Sequence, residues 1–347
     1  MGRTRMATQA SGGGRERMNP TYEQVAEYAG WLDLTDSGLI RVIGSDRLRF
    51  LQGQTTNDLR PLTEGAGVYT AFCTPTGQLL SDGYMLEAED GYLLVLPADT
   101  WGDIAARLSE AIILDDVTLM PLQEAMGLLS VQGGATNEML EELGLTPPPD
   151  TPLSHHTQIW QKAELRLIRN DRTGFGGVDV LAPYEVMEEF QTALVATACL
   201  PIDDALAEVL RYEAGIPKVG VDTNERTLAA ELGEPFVRSH ISYTKGCYVG
   251  QEVLMRIHAR GHTNRTWVPL RVEGDILPPR GATLNAPDRP DAGWITSAVY
   301  SPALGGAILA WGFLRNEYIQ PETVLQVAAE PPVQAVVLPR APRPARR

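Results

Sequence analysis

Past Gly261 the chain stops offering helical periods. From there to residue 330 it reads as short alternating strands, cut by "LPPRG", "APDRPDAG" and "SPALGG". Many short strands with turn residues at each break predict an all-β module over 261–330. Residues 19–260 are mixed. "WLDLTDSGLIRVIG" reads as two short strands about a turn at Asp36–Gly38, then a short helix with Ser45 as N-cap and Leu48 and Leu51 as its apolar stripe. Strand-like runs from Val68 are punctuated at Pro75–Gly77 and by "EDG" at 89–91, the pattern of antiparallel hairpins. Residues 99–110 read as helix and "VTLMPL" as strand. Three consecutive prolines in "GLTPPPDTPL", 144–153, exclude helix and central strand and mark a long connection. After it come a strand in "ELRLIRN", a glycine-rich turn at 174–177, and helices over 183–198 and 203–214. In the first of these, Val186, Phe190 and Leu194 recur at intervals of four and share a buried face.

Charge narrows the partners. The formal net charge is −15, but residues 1–18 carry +3 and 340–347 carry +4, which leaves −22 on 19–339. Such a body repels a phosphate backbone, so direct nucleic-acid binding is not expected. No run is apolar and long enough to span a bilayer, so no membrane partner is expected either. Cys73, Cys199 and Cys247 lack the spacing of a disulfide framework or a zinc site, and no stably bound metal is expected. Reduced thiols point to the cytoplasm. Residues 1–18 lack the apolar core of a signal peptide and read as a disordered leader, with Met1 or Met18 as the start. The Pro- and Arg-rich tail, 331–347, reads as disordered beyond Leu338.

The densest chemistry lies in "TKGCYVGQEVLMRIHARGHTNR", 244–265. A lone cysteine is ordinarily a small buried hydrophobe. Cys247, however, follows Gly246 and precedes Tyr248 and Gly250, where a turn hands over to a helix starting near Gln251. A helix N-terminus and a nearby ammonium, Lys245, both favour a thiolate. Residues 236–265 hold Arg238, Lys245, Arg256, Arg260 and Arg265 against one acid, Glu252, a +4 island suited to a small anion or an acidic partner face. Glu252 is either an acid–base group or a charge that favours the helix dipole. His258 and His262 have the spacing of a metal pair, but Gly261 between them ends the helix.

"KGCYVGQE" at 245–252, with Arg256, Gly261 and Arg265, resembles the signature of the YgfZ family of folate-binding proteins. These are related to iron–sulfur assembly factors of the Iba type and to the glycine cleavage T-protein aminomethyltransferases. "FLQGQTTNDL" at 50–59, "LLSVQGGATNEML" at 128–140, "RYEAGIP" at 211–217 and "AGWITSAVYSPALGGAILAWGFL" at 292–314 fit in the same order. The resemblance implies a GcvT-like α+β architecture: two interleaved α+β subdomains over 19–260 around a central folate-sized cavity, then an antiparallel β-barrel over 261–330. It implies tetrahydrofolate as ligand and a role in assembling or repairing iron–sulfur clusters in client enzymes, tRNA-modifying ones included. Cys247 and Lys245 would be the reactive pair, supported by Gly246, Tyr248, Gly250, Gln251, Glu252 and Arg256. Arg211, Phe175, Asp82 and Asn57 would line the folate site, although Asn57, at the end of "GQTTN", reads first as a turn residue satisfying local backbone.

Two departures bear on activity. The aspartate pair of aminomethyltransferases reads Ser81–Asp82 here, and Val178 in "RTGFGGVDV" stands where a glutamate would bind the pterin edge. Asp179 is adjacent, but neighbours on a strand face opposite ways. The alternatives are a true folate-dependent aminomethyltransferase, or a non-catalytic interaction module with an empty folate cavity. Whether there is turnover is not legible from the chain.

Overall fold

The computed structural model describes residues 21–347 except Glu89. The expected leader at 1–18 lies outside the described residues. In chain order the elements begin with α1 (Tyr22–Glu27), β1 (Gly30–Asp33), β2 (Gly38–Ile43) and α2 (Arg47–Gln54). Then come β3 (Gly67–Cys73), β4 (Leu79–Ala88), β5 (Gly91–Leu96), α3 (Trp101–Ala111) and β6 (Thr118–Pro121). The chain continues through β7 (Met126–Gln132), α4 (Thr136–Glu142), β8 (His155–Trp160), β9 (Ala163–Arg169) and β10 (Gly177–Pro183). After these lie α5 (Tyr184–Ala196), β11 (Leu200–Pro201), α6 (Asp204–Ala214), α7 (Glu234–His240) and α8 (Gln251–Arg260). The last strands are β12 (Arg265–Val272), β13 (Thr283–Ala286), β14 (Arg289–Tyr300), β15 (Ile308–Arg315), β16 (Val324–Val327) and β17 (Val333–Val337).

These build two sheets and a barrel. One sheet has the order β3-β4-β5-β2-β6, the other β11-β1-β7-β10-β9-β8. The turn at Asp36–Gly38 carries the chain between them, since β1 pairs with β7 and β11 while β2 pairs with β5 and β6. The sheets bury their inner faces on each other through Leu39, Tyr69, Tyr84, Leu128, Ile168 and Leu181. Their outer faces are covered by helices: α2 and α3 over Val42, Phe72 and Met85, and α4 and α5 over Leu129, Val131 and Val180. Two stacked sheets flanked by helices leave polar side chains room only where the inner faces diverge.

The fold is GcvT-like α+β with a closed antiparallel barrel, β12-β15-β14-β13-β16-β17. Its sixth strand, β17, lies in the segment expected to be a tail, because Leu325 and Val327 need a partner that buries Ala335 and Val337. The chain beyond Leu338 is also packed: Ala341 is 7% exposed and joins the cluster of Tyr212, Trp267 and Trp311. Ser45 does not cap α2. Its N–H and hydroxyl both turn to Asp116, and Asp46 takes the cap position. Among the described residues no helix is long and apolar enough to cross a membrane.

Candidate active site

Strand alternation decides which side chains reach the space between the sheets. On β4, Asp82, Tyr84 and Leu86 face inward, while Met85 joins the outer core and Ser81 bonds the Thr100 hydroxyl at 2.7 Å. On β10, Val178 and Val180 enter the outer core and Asp179 faces inward. On β7, Ser130 and Gln132 face inward between Leu129 and Val131.

Asp179 is fully buried and fully engaged. The Arg172 guanidinium grips it with Nε at 3.0 Å and Nη2 at 2.7 Å. The Ser130 hydroxyl donates at 2.6 Å, and the Asn170 amide and Tyr84 hydroxyl each donate at 2.8 Å. Burial alone would raise this carboxyl. Arg172 and the hydrogen bonds outweigh it and hold Asp179 below the usual carboxylate range. Gln132 completes the frame, accepting from Arg172 N–H at 2.8 Å and donating to the Asn170 carbonyl at 2.8 Å.

Asp82 is the opposite case. Its side chain is 14% exposed and, among the described residues, accepts no hydrogen bond from any other residue. Burial raises its pKa, against the opposing charges of Arg347, Arg172 and Arg211. Facing it at 3.8 Å is Nε2 of His240, a residue with no solvent exposure. His240 Nδ1 lies 3.1 Å from the Phe236 carbonyl, which can only accept, and 2.8 Å from the Ser239 hydroxyl, whose own proton goes to the Pro235 carbonyl at 2.9 Å; a proton on Nδ1 suits both neighbours. Nε2 is left as a bare lone pair with no partner. Burial first, then the charge of Arg347, keeps the imidazole neutral by pushing its pKa well below the ordinary value. The ring is clamped between Phe236, stacked at 4.0 Å, and Tyr69, tilted at 5.4 Å. Two acceptors without a donor thus face one space under an aromatic wall. That arrangement has the chemistry to accept from an N–H group.

The KGCYVGQE loop does something else. Lys245 is 4% exposed, and its ammonium donates to the carbonyls of Thr55 at 2.7 Å and Asn57 at 2.6 Å. Burial pushes its pKa down to about 7. It pins the loop to the end of α2, so its charge is committed to two carbonyls and not to a thiolate. Cys247 is exposed and precedes the α8 cap by three residues. Gly246 is exposed beside it, and Tyr248 is buried in the barrel-side core. Gly250 has φ +88°, and a Cβ there would lie 2.7 Å from the Thr74 carbonyl oxygen, so only glycine fits. Gln251 starts α8, and Glu252 and Arg256 form an exposed pair at 2.9 Å on its outer face.

Two other expectations are corrected. Arg211 has no free face for a ligand, because it binds Glu208 through Nε and Nη2, and Asp222 and the Ile216 carbonyl through Nη1. The positive island is dispersed as well. Arg238 pairs with Glu234 and Arg265 with Glu231, two acids just upstream of the stretch counted. Asn57 is a turn residue, its amide donating to the carbonyls of Tyr69 and Ser239, both at 2.8 Å. Phe175 packs edge-on to Tyr22 and under the Arg343 guanidinium. His258 stacks on Tyr243, and His262 turns to the Thr263 carbonyl.

Of the expected site residues, only Asp82 reaches the inner space as a free group. His240, Tyr69, Tyr84 and the Asp179 frame were not anticipated. Ser130 and Gln132 carried a readable signal, polar residues at period two in the apolar strand "GLLSVQG". His240 carried none beyond its place among other histidines.

Comparison with known proteins agrees with this fold. The family model described as the GCVT N-terminal domain matches residues 15–238. An aminomethyltransferase of Chlorobium chlorochromatii (strain CaD3) is 28% identical over 314 residues, 88% of this chain and 84% of that protein. Another, from Caldanaerobacter subterraneus subsp. tengcongensis, is 26% identical over 331 residues, 91% and 85% of the two chains. The glycine cleavage system aminomethyltransferase T from Bartonella henselae shares the fold, with a TM-score of 0.83 at 20% identity over 94% of this chain and 90% of that one. These relatives overturn the expected role in iron–sulfur assembly and its client partners, because the named likeness is to aminomethyltransferases.

Proposed function

The chain belongs to the GCVT N-terminal domain family, and we propose that it is an aminomethyltransferase of the glycine-cleavage type, moving a one-carbon unit onto tetrahydrofolate. The observation that carries this reading is the Asp82 carboxylate, its side chain 14% exposed, 3.8 Å from the buried and unpartnered Nε2 of His240. A native core ordinarily satisfies such groups, and exceptions mark work to be done.

The residues fit a reduced pterin. It is a flat ring edged with N–H donors, and the site offers two unpartnered acceptors and the Tyr69 face. Tetrahydrofolate supplies the ring nitrogens that take up the one-carbon unit. His240 Nε2 orients an N–H donor, and Asp82 Oδ2, 3.8 Å away on a carboxyl that burial pushes up, is the acceptor placed to take its proton. The Asp179–Arg172 pair closes the opposite wall without offering a free acceptor. Val178 lies in the hydrophobic core, so recognition of the pterin edge falls to Asp82 and His240.

Within the family, the KGCYVGQE loop supports a YgfZ-type branch, with Lys245 as the loop's anchor. Burial pushes the Cys73 and Cys199 thiols up to about 12, which suits inert cysteines in a reducing compartment. The test is release of ammonia from an aminomethylated carrier protein. Release that requires tetrahydrofolate is expected. A chain that releases none with saturating folate overturns the proposal.

A further inference from the structure

The inner space already has an occupant from the chain itself. The segment 341–347 leaves the barrel and runs along the end of α6, with Pro344 and Arg346 exposed, and brings Arg347 to the inner space. Arg343 N–H donates to the Glu213 carbonyl at 2.8 Å, Ala345 N–H to Ala214 at 3.1 Å, and Arg346 N–H to the Asp171 carboxylate at 3.0 Å. Arg343 Nε donates to the Tyr22 hydroxyl at 2.7 Å, and its guanidinium lies 4.3 Å over Phe175. Gly174 makes room for this path. Its φ is +78°, and a Cβ there would sit 2.1 Å from the Arg343 carbonyl oxygen. The run ends with the Arg347 guanidinium 4.9 Å over the Tyr69 ring, within electrostatic reach of Asp82 and His240.

The two ends of this segment differ. Its upstream half is clasped by backbone hydrogen bonds and cation–π contacts, which are favourable and specific. Arg347 Nε is buried with no hydrogen-bond partner. A buried donor left unmade is costly, so the guanidinium is the weakly held end of a well-held arm. Pro342 and Pro344 stiffen the arm and lower the entropy of placing it. Beside it opens a cleft of about 300 Å³, with Asp150, Arg169, Asp171, Phe175 and Arg346 in its wall. A planar, N–H-rich cation on the face of Tyr69, its charge felt by Asp82 and His240, has the chemistry of a ligand's donor edge.

We propose that segment 341–347 is an intramolecular competitor for the site: Arg347 holds the place of the ligand's donor edge, and ligand entry requires withdrawal of the arm. The identity of the displacing ligand rests on the folate reading above. The occupancy itself does not.

Two measurements on the full chain separate these. The first is tetrahydrofolate titration of the wild type, Arg347→Ala and Arg343→Ala. If the arm closes about nine sites in ten, either variant binds about tenfold more tightly than wild type. The second is hydrogen exchange at the amides of Arg343, Ala345 and Arg346, slow without ligand and at least about tenfold faster with saturating folate. Equal affinity in all three chains, with exchange unmoved by folate, overturns the proposal. If no chain takes up folate, the folate reading fails and ligand-free exchange alone decides. Slow exchange at the three amides then sustains the arm as an occupant, and exchange at the unprotected rate overturns it.

Discussion

Asp179 and Asp82 face the same space from opposite sheets and are treated in opposite ways. Asp179 has a bidentate arginine and three further donors, and its carboxyl is held low. Asp82 has the His240 imidazole at 3.8 Å and no donor bonded to it among the described residues, and burial pushes its carboxyl up against the charges of Arg347, Arg172 and Arg211. The first arrangement holds two sheets in register. The second costs stability as its carboxyl ionises, and under the proposed function it is the group that meets the ligand.

The largest effect should come from breaking the satisfied side. Arg172→Ala strands the Asp179 charge in the interior, and urea unfolding should show a loss of about 3–5 kcal/mol. Replacing both members, Arg172→Met with Asp179→Leu, should recover much of it. A loss below about 1 kcal/mol for Arg172→Ala would mean that the frame does not hold the sheets.

Lys245 has named partners, as Asp179 does, but burial pushes it toward its neutral form, as it does Asp82. Lys245→Met should cost about 1–3 kcal/mol by leaving the Thr55 and Asn57 carbonyls unpaired. Its pH signature is specific. Between about 7 and 10.5 the native amine holds fewer protons than the unfolded one, so wild-type stability gains a rising contribution over that range. The methionine variant should lack it, which unfolding midpoints across the range would show.

The two aspartates should also pull stability in opposite directions with pH. Asp179, with a depressed folded pKa, contributes stability above its ordinary 3.8 that is lost as pH falls through the folded value. Asp82, with a raised folded pKa, costs stability as pH rises from 3.8 through its folded value. Asp82→Asn should therefore gain on wild type as pH climbs through that window and hold the gain above it. A constant difference at all pH values would remove the contrast. The smallest effect is expected at Cys247, where exposure limits Cys247→Ala to within about 0.5 kcal/mol by the same measurement.

Legibility in the sequence followed the same divide. Strands and helices with clean periods, such as 183–198 and the short strands after Gly261, matched α5 and the barrel because one face of each is buried. The turn at 174–177 was readable from its glycines. What could not be read was pairing across long distances. Arg211 is taken up by Asp222, eleven residues on, and Arg265 by Glu231, thirty-four residues back. Both looked free because a count of local charges sees neither partner. β17 and the packed arm at 341–347 were hidden by Pro- and Arg-rich composition, which says nothing about a cavity elsewhere that accepts such a segment. Asp82 was legible as a candidate, but its distinction from Asp179 depends on which donors the folded chain brings to each.

The most direct test compares Asp82→Asn with Asp179→Asn in folate-dependent release of ammonia from an aminomethylated carrier, alongside their unfolding midpoints. The account predicts that Asp82→Asn loses at least about a hundredfold in rate while staying as stable as wild type or gaining. It predicts that Asp179→Asn loses stability first and activity only in proportion to the folded fraction. Wild-type turnover by Asp82→Asn would contradict it.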